Sequence, residues 1–491
     1  MSTKYFTNSD LDKGLNKKEN PSRVVWSTGR NIRFSQGYVE KMAGKSLIQT
    51  IPAGLPVRAI FTFLGTDGVQ RSIVCCDDAI YLYNADFSSY ATVTPSPAPT
   101  GGATDRWQFA LVGGLPILTN GKDKIWKMTS YSAAISALTG APPTYAKNLG
   151  SSMHRLIVSN LSEGGYAYTG RVRWTEVANP ENWLIDETNM SGRYDILNYA
   201  TGQSAHENIK SQISVGQRMY FWTERGLWRA MFDEQIKQFL IYGRDAEIAG
   251  RDARCRVDDT IFWIGKRDLY MASGDTAKGI GVPWIRDDFL SSVNSDYLSL
   301  SFVFHNRLRN EVWFCIPTGA STAVDTAYIF NYEIGTWTIA DVDFLCHSES
   351  DYTTLPYDIV GNDQGEILRL DDGFNGYYSA ESSAINGVIE TGDMALDSPD
   401  YMKRVSDVMV EAAVQDTVCE LMIQAGVRDR LSDDIKWSDP VPFTLGVTDK
   451  CDFSHFRKEG KYVRLRFYSD QLNTPWTIAG LTVKYELGGT R

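Results

Sequence analysis

Short apolar runs that alternate with turn residues recur through most of the chain. In the clearest copy, Ile261–Ile264 is rich in β-branched and aromatic residues, Gly265–Asp268 consists largely of turn-forming residues, and Leu269–Met271 begins a second apolar run. β-branched and aromatic residues favour strands, whereas Gly and Asp favour tight turns. The segment therefore predicts a β-hairpin whose strands are buried on both faces.

The same pattern occurs at five other places. The copies begin near residues 73, 117, 219, 261, 312 and 358, so four of the five gaps are 44, 42, 51 and 46 residues and the fifth is 102. The wide gap has room for two more units or for one unit with an insertion, and Arg155–Val158 followed by Gly170–Trp174 is the candidate. Hairpin repeats of about this length are typical of β-propeller blades. We therefore predict an all-β chain with a β-propeller of about six to eight blades, seven by count. Strands that fall at similar intervals by chance are the alternative.

The ends of this repeat region have their own patterns. Residues 1–24 are polar and charged, which predicts an N-terminal arm ordered only by a neighbouring molecule, with a frayed terminus as the alternative. The segment Asn31–Val39 predicts a hairpin with Gly37 in its turn, and we expect it to complete the last blade and close the ring. The predicted propeller covers residues 25–375 with a loop-rich insertion at about 179–202, and Asp287–Val293 is the best short helix.

Beyond residue 375 the pattern changes to strict alternation. In Lys461–Phe467 the apolar residues Val463, Leu465 and Phe467 share one face of a strand and arginines occupy the other. Leu481–Tyr485 alternates in the same way. Strands with one buried face and one solvent-exposed face predict an appended C-terminal antiparallel β-sandwich over residues 376–491.

Composition limits the classes of function. The chain has 491 residues, 43% of them hydrophobic, and no apolar run of 18 residues, so we expect a large core and no membrane span. The N-terminus lacks the apolar stretch of a signal peptide, so none is expected. Seven cysteines without metal-ligand spacing predict reduced structural thiols, and adjacent Cys75 and Cys76 should point to opposite faces of a strand rather than form a redox pair. The net charge of −11 argues against a nucleic-acid clamp.

Residues with catalytic potential do not form a recognisable motif. The five histidines are far apart in sequence, there is no zinc spacing and no Gly-x-Ser-x-Gly, and Gly279-Ile-Gly281 lacks the third glycine and the following helix of a phosphate loop. Asn331–Trp337 differs from the Asp-box of sialidases in residue type and length. We predict no enzymatic activity and no catalytic, cofactor-binding or metal-binding residues.

Adjacent acidic pairs are the remaining candidates for chemistry. Glycosidases need two carboxyl groups across a cleft, but neighbouring strand residues point to opposite faces, so we interpret the pairs as turn residues. A Ca²⁺ ion at one of these turns stays open as an alternative and would need several converging oxygen ligands. The pairs are Asp77-Asp78, Asp258-Asp259, Asp287-Asp288, Asp371-Asp372 and Asp433-Asp434.

Three segments carry a resemblance to a known family. Gly29–Gly44 with Pro56–Ile60, then Tyr328–Trp337, and finally Trp476–Leu481 with the closing Gly488–Arg491, resemble nozzle proteins of short-tailed (podovirus-type) bacteriophages. These are the tail tubular protein B and packaged-DNA stabilisation class. The resemblance follows the order of elements over most of the chain, but it does not extend to the insertion at 179–202.

The resemblance implies a structural virion protein that is located in the viral tail, and in the host cytoplasm during assembly. Six copies would form a homo-hexameric ring below the portal-adaptor, retain packaged double-stranded DNA, conduct it during ejection without sequence-specific binding, and anchor tail fibre, spike or needle proteins. Six copies at −11 would carry about −66, which discourages DNA adhesion if the excess faces the lumen. The alternatives are a carbohydrate-active propeller enzyme of a phage tail, sialidase-like or a glycan depolymerase, and a non-viral scaffold propeller that binds peptides.

Overall fold

The computed structural model describes residues 3–8, 11–16, 26–35, 37–52, 54–198, 205–232, 237–244, 246–273, 276–350, 355–412 and 419–490. Its first five strands are β1 (Thr3–Asn8), β2 (Trp26–Arg30), β3 (Ile32–Ser35), β4 (Tyr38–Lys41) and β5 (Lys45–Thr50). The helices of the described part of the chain are too short and too polar to span a bilayer.

Six antiparallel four-stranded units follow in chain order, and we name them blades 1 to 6. Blades 2 to 6 are separate sheets, whereas blade 1 is half of an eight-stranded sheet. Blade 1 is β6 (Ala59–Leu64), β7 (Gln70–Cys75), β8 (Ile80–Asn84) and β9 (Tyr90–Thr92). Blade 2 is β10 (Gln108–Val112), β11 (Leu115–Thr119), β12 (Trp126–Lys127) and β13 (Ser136–Ala137). Blade 3 is β14 (Tyr145–Ser152), β15 (Arg155–Glu163), β16 (Tyr166–Trp174) and β17 (Gly192–Asp195), and the pair β18 (Leu197–Asn198) and β19 (Ala205–His206) follows it.

Blade 4 is β20 (Ser211–Val215), β21 (Arg218–Trp222), β22 (Gly226–Phe232) and β23 (Lys237–Arg244). Blade 5 is β24 (Arg254–Val257), β25 (Thr260–Ile264), β26 (Leu269–Ser273) and β27 (Thr276–Gly279). The helix α1 (Pro283–Ser292) and a 3-10 turn (Leu298–Leu300) lead to blade 6, which is β28 (Phe302–Asn306), β29 (Glu311–Ile316), β30 (Thr326–Asn331) and β31 (Thr336–Asp341).

Blade 7 joins the two ends of the ring. It contains β32 (Cys346–Ser350), β33 (Ile359–Gly361) and β34 (Glu366–Leu370), and its fourth strand is β5 from the start of the chain. The inner strand β32 also pairs in parallel with β6 of blade 1, with Ser348 opposite Ile60. The ring is therefore closed at its rim by β5 and near its axis by the β32–β6 pairing.

Apolar clusters between neighbouring blades explain why the middle strands are buried on both faces. One cluster joins blades 1 and 2, where the rings of Phe61 and Phe109 stack with centroids 4.9 Å apart. A similar contact joins blades 4 and 5 through Trp222 and Trp263, whose centroids are 5.6 Å apart. The repeated hairpin of the sequence is thus the second and third strand of each blade, and the all-β, seven-bladed propeller is confirmed.

The last strands form two sheets together with the first ones. After the pair β35 (Gly376–Tyr378) and β36 (Glu381–Ser383) come β37 (Gly387–Thr391), β38 (Tyr401–Ala412), β39 (Glu420–Arg428), β40 (Lys436–Trp437), β41 (Val441–Thr444), β42 (Cys451–Asp452), β43 (Tyr462–Ser469) and β44 (Thr477–Thr490). One sheet has the order β3-β4-β44-β38-β42, with β1 also on β44. The other has the order β2-β37-β43-β39-β40, with β41 also on β39. Their inward residues, such as Val405, Leu465 and Val483, belong to one apolar cluster.

This arrangement corrects two predictions about the N-terminus. The hairpin at 31–39 exists as β3 and β4, but it pairs with β44 in the sandwich, and β5 is the strand that completes the last blade. The reason is that Ile32, Phe34 and Val39 are buried in the cluster that contains the sandwich core. The arm is not ordered only by a neighbour, because β1 pairs with β44 and Leu11 is buried in the same chain. Residues 1–2, 9–10 and 17–24 of the arm lie outside the described residues.

Candidate functional site

The axis of the propeller is the first place where a site could lie, since all seven inner strands begin there. Arg106, just before β10, donates to the carbonyl oxygens of Leu300 and Leu345 (3.2 Å to the latter), which belong to the segments before blades 6 and 7. Arg251, just before β24, donates to the carbonyl oxygens of Arg106 (2.6 Å) and Asn120 (3.3 Å) in blade 2. We call Arg106 and Arg251 the axial arginines. They bridge blades on opposite sides of the ring and close this end of the axis.

Burial lowers the pKa of both axial arginines, although Asp252 between them offsets part of that effect. The Asp252 carboxylate lies 3.9 Å from Nε of Arg106 and accepts a hydrogen bond from Gln108 (3.3 Å). Guanidinium groups stay charged in proteins, so the carbonyl oxygens and this carboxylate stabilise buried positive charge.

A cavity of about 50 Å³ adjoins Arg106 and is lined in part by Arg58, Asp252 and Glu349. This volume suits a few water molecules, whereas small-ligand pockets begin at roughly 300 Å³. Both carboxylates already have cationic neighbours, because Asp252 lies beside Arg106 and Glu349 lies 3.7 Å from Arg254. The axis therefore holds a compact ionic network.

Members of four of the five acidic pairs take part in structural contacts elsewhere. Asp77 accepts two hydrogen bonds from Arg58 (2.8 and 3.1 Å), and Asp288 accepts one from Tyr328 (2.8 Å). Asp433 accepts one from the backbone of Arg430 (3.0 Å). Among the residues that the structure describes, no three His, Cys, Asp or Glu side chains form a group that could hold a metal ion.

The surroundings of Gly279 and Gly281 differ from the prediction that no helix follows them. A helix does follow it, since α1 begins two residues after Gly281. However, the carboxylate of Asp268 fills the position, because a Cβ on Gly279 or Gly281 would come within 2.4 or 2.3 Å of its oxygens. An acidic side chain in contact with both glycines leaves no place for a phosphate.

The joint between the propeller and the sandwich contains a buried ionic cluster, which we call the Arg33 cluster. Arg33 of β3 is only 3% exposed and donates to both oxygens of Glu311 (2.8 and 3.1 Å) and of Asp371 (2.5 and 3.0 Å). Trp313 donates to Glu311 (2.9 Å), and Asn306 donates to Asp371 (2.7 Å). Burial raises the pKa of Glu311 above its usual range, while Arg33 and Asn306 outweigh burial at Asp371 and lower its pKa. The cluster joins the sandwich hairpin to blades 6 and 7.

The loop between β16 and β17, residues 175–191, carries several exposed apolar side chains, and we call it the blade 3 loop. It overlaps the predicted insertion, whose residues 199–202 lie outside the described residues. Trp183 anchors the loop in the core between blades 2 and 3. At its tip Leu184 is 62% and Ile185 47% exposed, beside exposed Met190. The tip of the loop therefore places two adjacent apolar side chains in solvent.

A groove of about 350 Å³ lies where the N-terminal segment, α1 and the β30–β31 turn meet, and we call it the helix groove. Leu15, Trp284 and Trp337 line it but are each only 4–6% exposed, and Lys13 also lines it. Its volume is within the range of pockets that accept small ligands or side chains. Neither the helix groove nor the axial arginines were found from the sequence, since each combines residues that are hundreds of positions apart.

Comparisons with known proteins give architecture only. No protein-family model and no curated protein matches the chain. Virginiamycin B lyase from Staphylococcus aureus is 9% identical, with 66% of this chain and 98% of that chain covered and a TM-score of 0.41. The Swd1 β-propeller domain from Myceliophteria thermophila is 8% identical, with 67% and 99% covered and a TM-score of 0.40. The Neurospora crassa Pan2 WD40 domain is also 8% identical, with 67% and 95% covered and a TM-score of 0.38. At these values the likeness says nothing about activity, and the strand order itself establishes the β-propeller.

Proposed function

We propose that this chain is a structural virion protein, a tail nozzle of a short-tailed bacteriophage. Six copies form a ring below the portal-adaptor, retain packaged DNA, conduct it during ejection, and anchor tail fibres, spikes or a needle. The sequence segments that resemble this family support the proposal, at residues 29–44 with 56–60, 328–337, and 476–481 with 488–491.

The observation that supports the proposal best is that both ends of the chain are built into one block with the propeller. Strands β2 to β4 lie in the same two sheets as β37 to β44, and β5 completes blade 7. The Arg33 cluster then fixes the sandwich to blades 6 and 7 through fully paired buried charges. Satisfied buried networks rigidify a structure, and ring closure removes exposed sheet edges. A propeller and sandwich that are rigidly joined suit a structural subunit of a larger assembly.

The axial arginines add a constraint on where DNA would pass. Because Arg106 and Arg251 bridge the ends of the inner strands, the axis of a single propeller offers no opening for a duplex. The channel would therefore lie between copies, at the centre of the six-membered ring. A net charge of −11 per copy would keep the phosphate backbone from adhering to its wall.

Binding to the head-to-tail connector tests the proposal. The purified chain would be mixed with the portal-adaptor complex encoded beside it, and separated by size-exclusion chromatography with light scattering. We expect about six added copies per complex, and portal without adaptor is the matched control. A chain that does not join the complex would refute the nozzle function. The presence of portal, terminase or coat genes next to its own gene is the simplest prior check.

A further inference from the structure

We propose that Arg155 anchors a binding site for a carboxylate at the base of the blade 3 loop, with the side chain of Met190 as its cover. The ligand is a monovalent carboxylate with an apolar substituent, which belongs to a small molecule or to an acidic side chain of another protein. This inference goes beyond the proposed function, because it assigns a binding site that no ring of copies requires.

Arg155 is a buried cation without a carboxylate. It begins β15 and is only 1% exposed. Within the described residues, its guanidinium makes one hydrogen bond, from Nη2 to the thioether sulfur of Met190 (3.4 Å). Its Nε is buried and finds no acceptor in that part of the chain. A thioether is a weak, uncharged acceptor, so this guanidinium lacks the anion that a buried positive charge requires.

Other arginines of this protein use the same edge of the guanidinium to hold carboxylates. Arg171, also in blade 3, donates from Nε and Nη2 to the two oxygens of Asp195 (2.7 and 2.9 Å). Arg33 binds Glu311 with the same two nitrogens (2.8 and 3.1 Å). Two parallel bonds of this kind are the strongest contacts between arginine and a carboxylate. At Arg155 this edge has a sulfur atom at Nη2 and no described acceptor at Nε, so its geometry suits a carboxylate.

The acidic side chains of the blade 3 loop do not supply this carboxylate. Glu176 at the base accepts a hydrogen bond from the backbone of Met190 (2.5 Å), and Glu181 lies 2.5 Å from a lysine of blade 2. Asp186 and Glu187 are exposed at the tip of the loop. The ligand therefore comes from outside the loop.

Met190 is fixed by its backbone, whereas its side chain is able to move. The N–H of Met190 donates to Glu176 (2.5 Å), and its carbonyl oxygen accepts from Nε1 of Trp174 (3.0 Å). The residue is 37% exposed, and a methionine side chain has three rotatable bonds. Rotation of this side chain would uncover the guanidinium of Arg155 and leave the backbone of the loop in place.

The surroundings of the guanidinium favour a monovalent ligand with an apolar part. A phosphate carries nearly two negative charges at neutral pH, which a single arginine does not balance. Met190 and the ring of Trp174 supply apolar surface at the opening. The exposed Leu184 lies beside them, because the hydroxyl of Ser191 donates to its carbonyl oxygen. Butyrate has the required charge and an apolar chain, and we use it as the probe.

Nuclear magnetic resonance of methyl-labelled methionine tests the site in the full chain. The resonance of Met190 would be assigned by its loss in Met190→Leu protein. We expect this resonance to shift in a saturable way as butyrate is added at constant ionic strength, because the thioether leaves the guanidinium. Butyramide, which has a similar shape and no charge, should leave it unchanged. No shift with butyrate, or the same shift with butyramide, would refute the site.

Three substitutions to methionine provide the matched comparison. Arg155→Met should abolish the response to butyrate and keep or raise the thermal midpoint, because it removes an uncompensated buried charge. Arg193→Met, at an exposed position of the same blade, should keep the response. Arg171→Met should lower the midpoint by roughly 3 °C or more, since it leaves Asp195 without its cation. A loss of midpoint in Arg155→Met equal to that in Arg171→Met would show that Arg155 is already satisfied, and would refute the site.

Binding to the portal-adaptor complex distinguishes the two sources of the carboxylate. If Arg155→Met joins the complex at least about tenfold more weakly than the wild type, the carboxylate belongs to a tail protein. If both join equally and the wild type responds to butyrate, the ligand is a small molecule. A wild type that responds to butyrate but does not join the complex would refute the nozzle function and support the site.

Discussion

Arg33 donates hydrogen bonds to both carboxylate oxygens of Glu311, at 2.8 and 3.1 Å, across a separation of 278 positions in sequence. The two residues belong to different domains, since Arg33 lies on a sandwich strand and Glu311 begins the second strand of blade 6. A buried ion pair of this kind makes the joint specific, because both charges are shielded from water and depend on partners within the cluster.

Arg33→Ala should destabilise the protein by about 3–5 kcal/mol, since it leaves Glu311 and Asp371 buried without their cation. Arg30→Ala is the matched control, because Arg30 pairs with Asp341 (2.5 Å) at the same joint but both side chains are exposed. The control should cost less than about 1 kcal/mol. Urea denaturation measures both free energies of unfolding. Equal losses for the two variants would contradict the role given to the Arg33 cluster.

The protein should become less stable as the pH is lowered through the range in which His305 binds a proton. Burial, followed by the nearby charge of Arg307, lowers the pKa of His305 to about 4, and its Nε2 lies 2.9 Å from the Tyr332 hydroxyl. His305 therefore binds a proton near pH 6.5 in the unfolded state but only near pH 4 in the folded state. The stabilisation is complete above pH 6.5 and is lost as the pH falls toward 4.

Urea unfolding at pH 7.5 and pH 5.0 would measure this effect. After allowance for partial exposure, the wild type should lose roughly 1–2 kcal/mol more than His305→Gln between those pH values. Asp371 acts in a separate window below its ordinary pKa of 3.8, so it does not interfere. A variant with the same pH slope as the wild type would show that His305 is not the titrating group.

Because β5 closes the ring, proline substitutions at residues 47 and 48 should destabilise the propeller. Adjacent strand residues direct their N–H groups to opposite sides, so either Leu47→Pro or Ile48→Pro removes a bond to β34, at a cost of about 3 kcal/mol or more. Leu47→Ser is the control, because the Leu47 side chain is 39% exposed and contributes little. Thermal unfolding and aggregation on heating would compare the three. If both proline variants behave like Leu47→Ser, β5 is not needed for closure.

The cysteines should be unreactive in the folded protein. Burial raises the pKa of the Cys76 thiol to about 12 and that of Cys451 to about 11, and thiolates are the reactive species. A thiol reagent at pH 8 should therefore label none of the seven thiols in the native protein within minutes and all seven after denaturation. Rapid labelling of one thiol in the native protein would place that cysteine on the surface.

The parts of the fold that could be predicted are those with local sequence signals. The middle hairpin of each blade has apolar runs on both sides of a turn, so Ile261–Met271 and its copies gave the architecture and, with Arg155–Trp174, the number of blades. Alternation in Lys461–Phe467 likewise corresponds to β43. These patterns arise from burial of a strand against whichever sheet is next to it, and they need no knowledge of the partner.

The strand with which a given strand pairs could not be predicted from the sequence. The hairpin of β3 and β4 has the same apolar pattern whether it pairs with blade 7 or with β44, and only tertiary packing of Ile32 and Val39 decides between them. The same holds for Arg33, Arg106 and Arg251, which look like ordinary surface arginines in sequence. Each finds its acceptors in a segment far away along the chain.

A cryo-electron microscopy reconstruction of the virion tail tests the central claim most directly. The account predicts six copies around the tail axis, each a closed seven-bladed wheel joined to its sandwich, with the DNA channel between the wheels. A tail without this chain, or one in which DNA runs through the axis of a single wheel, would contradict it.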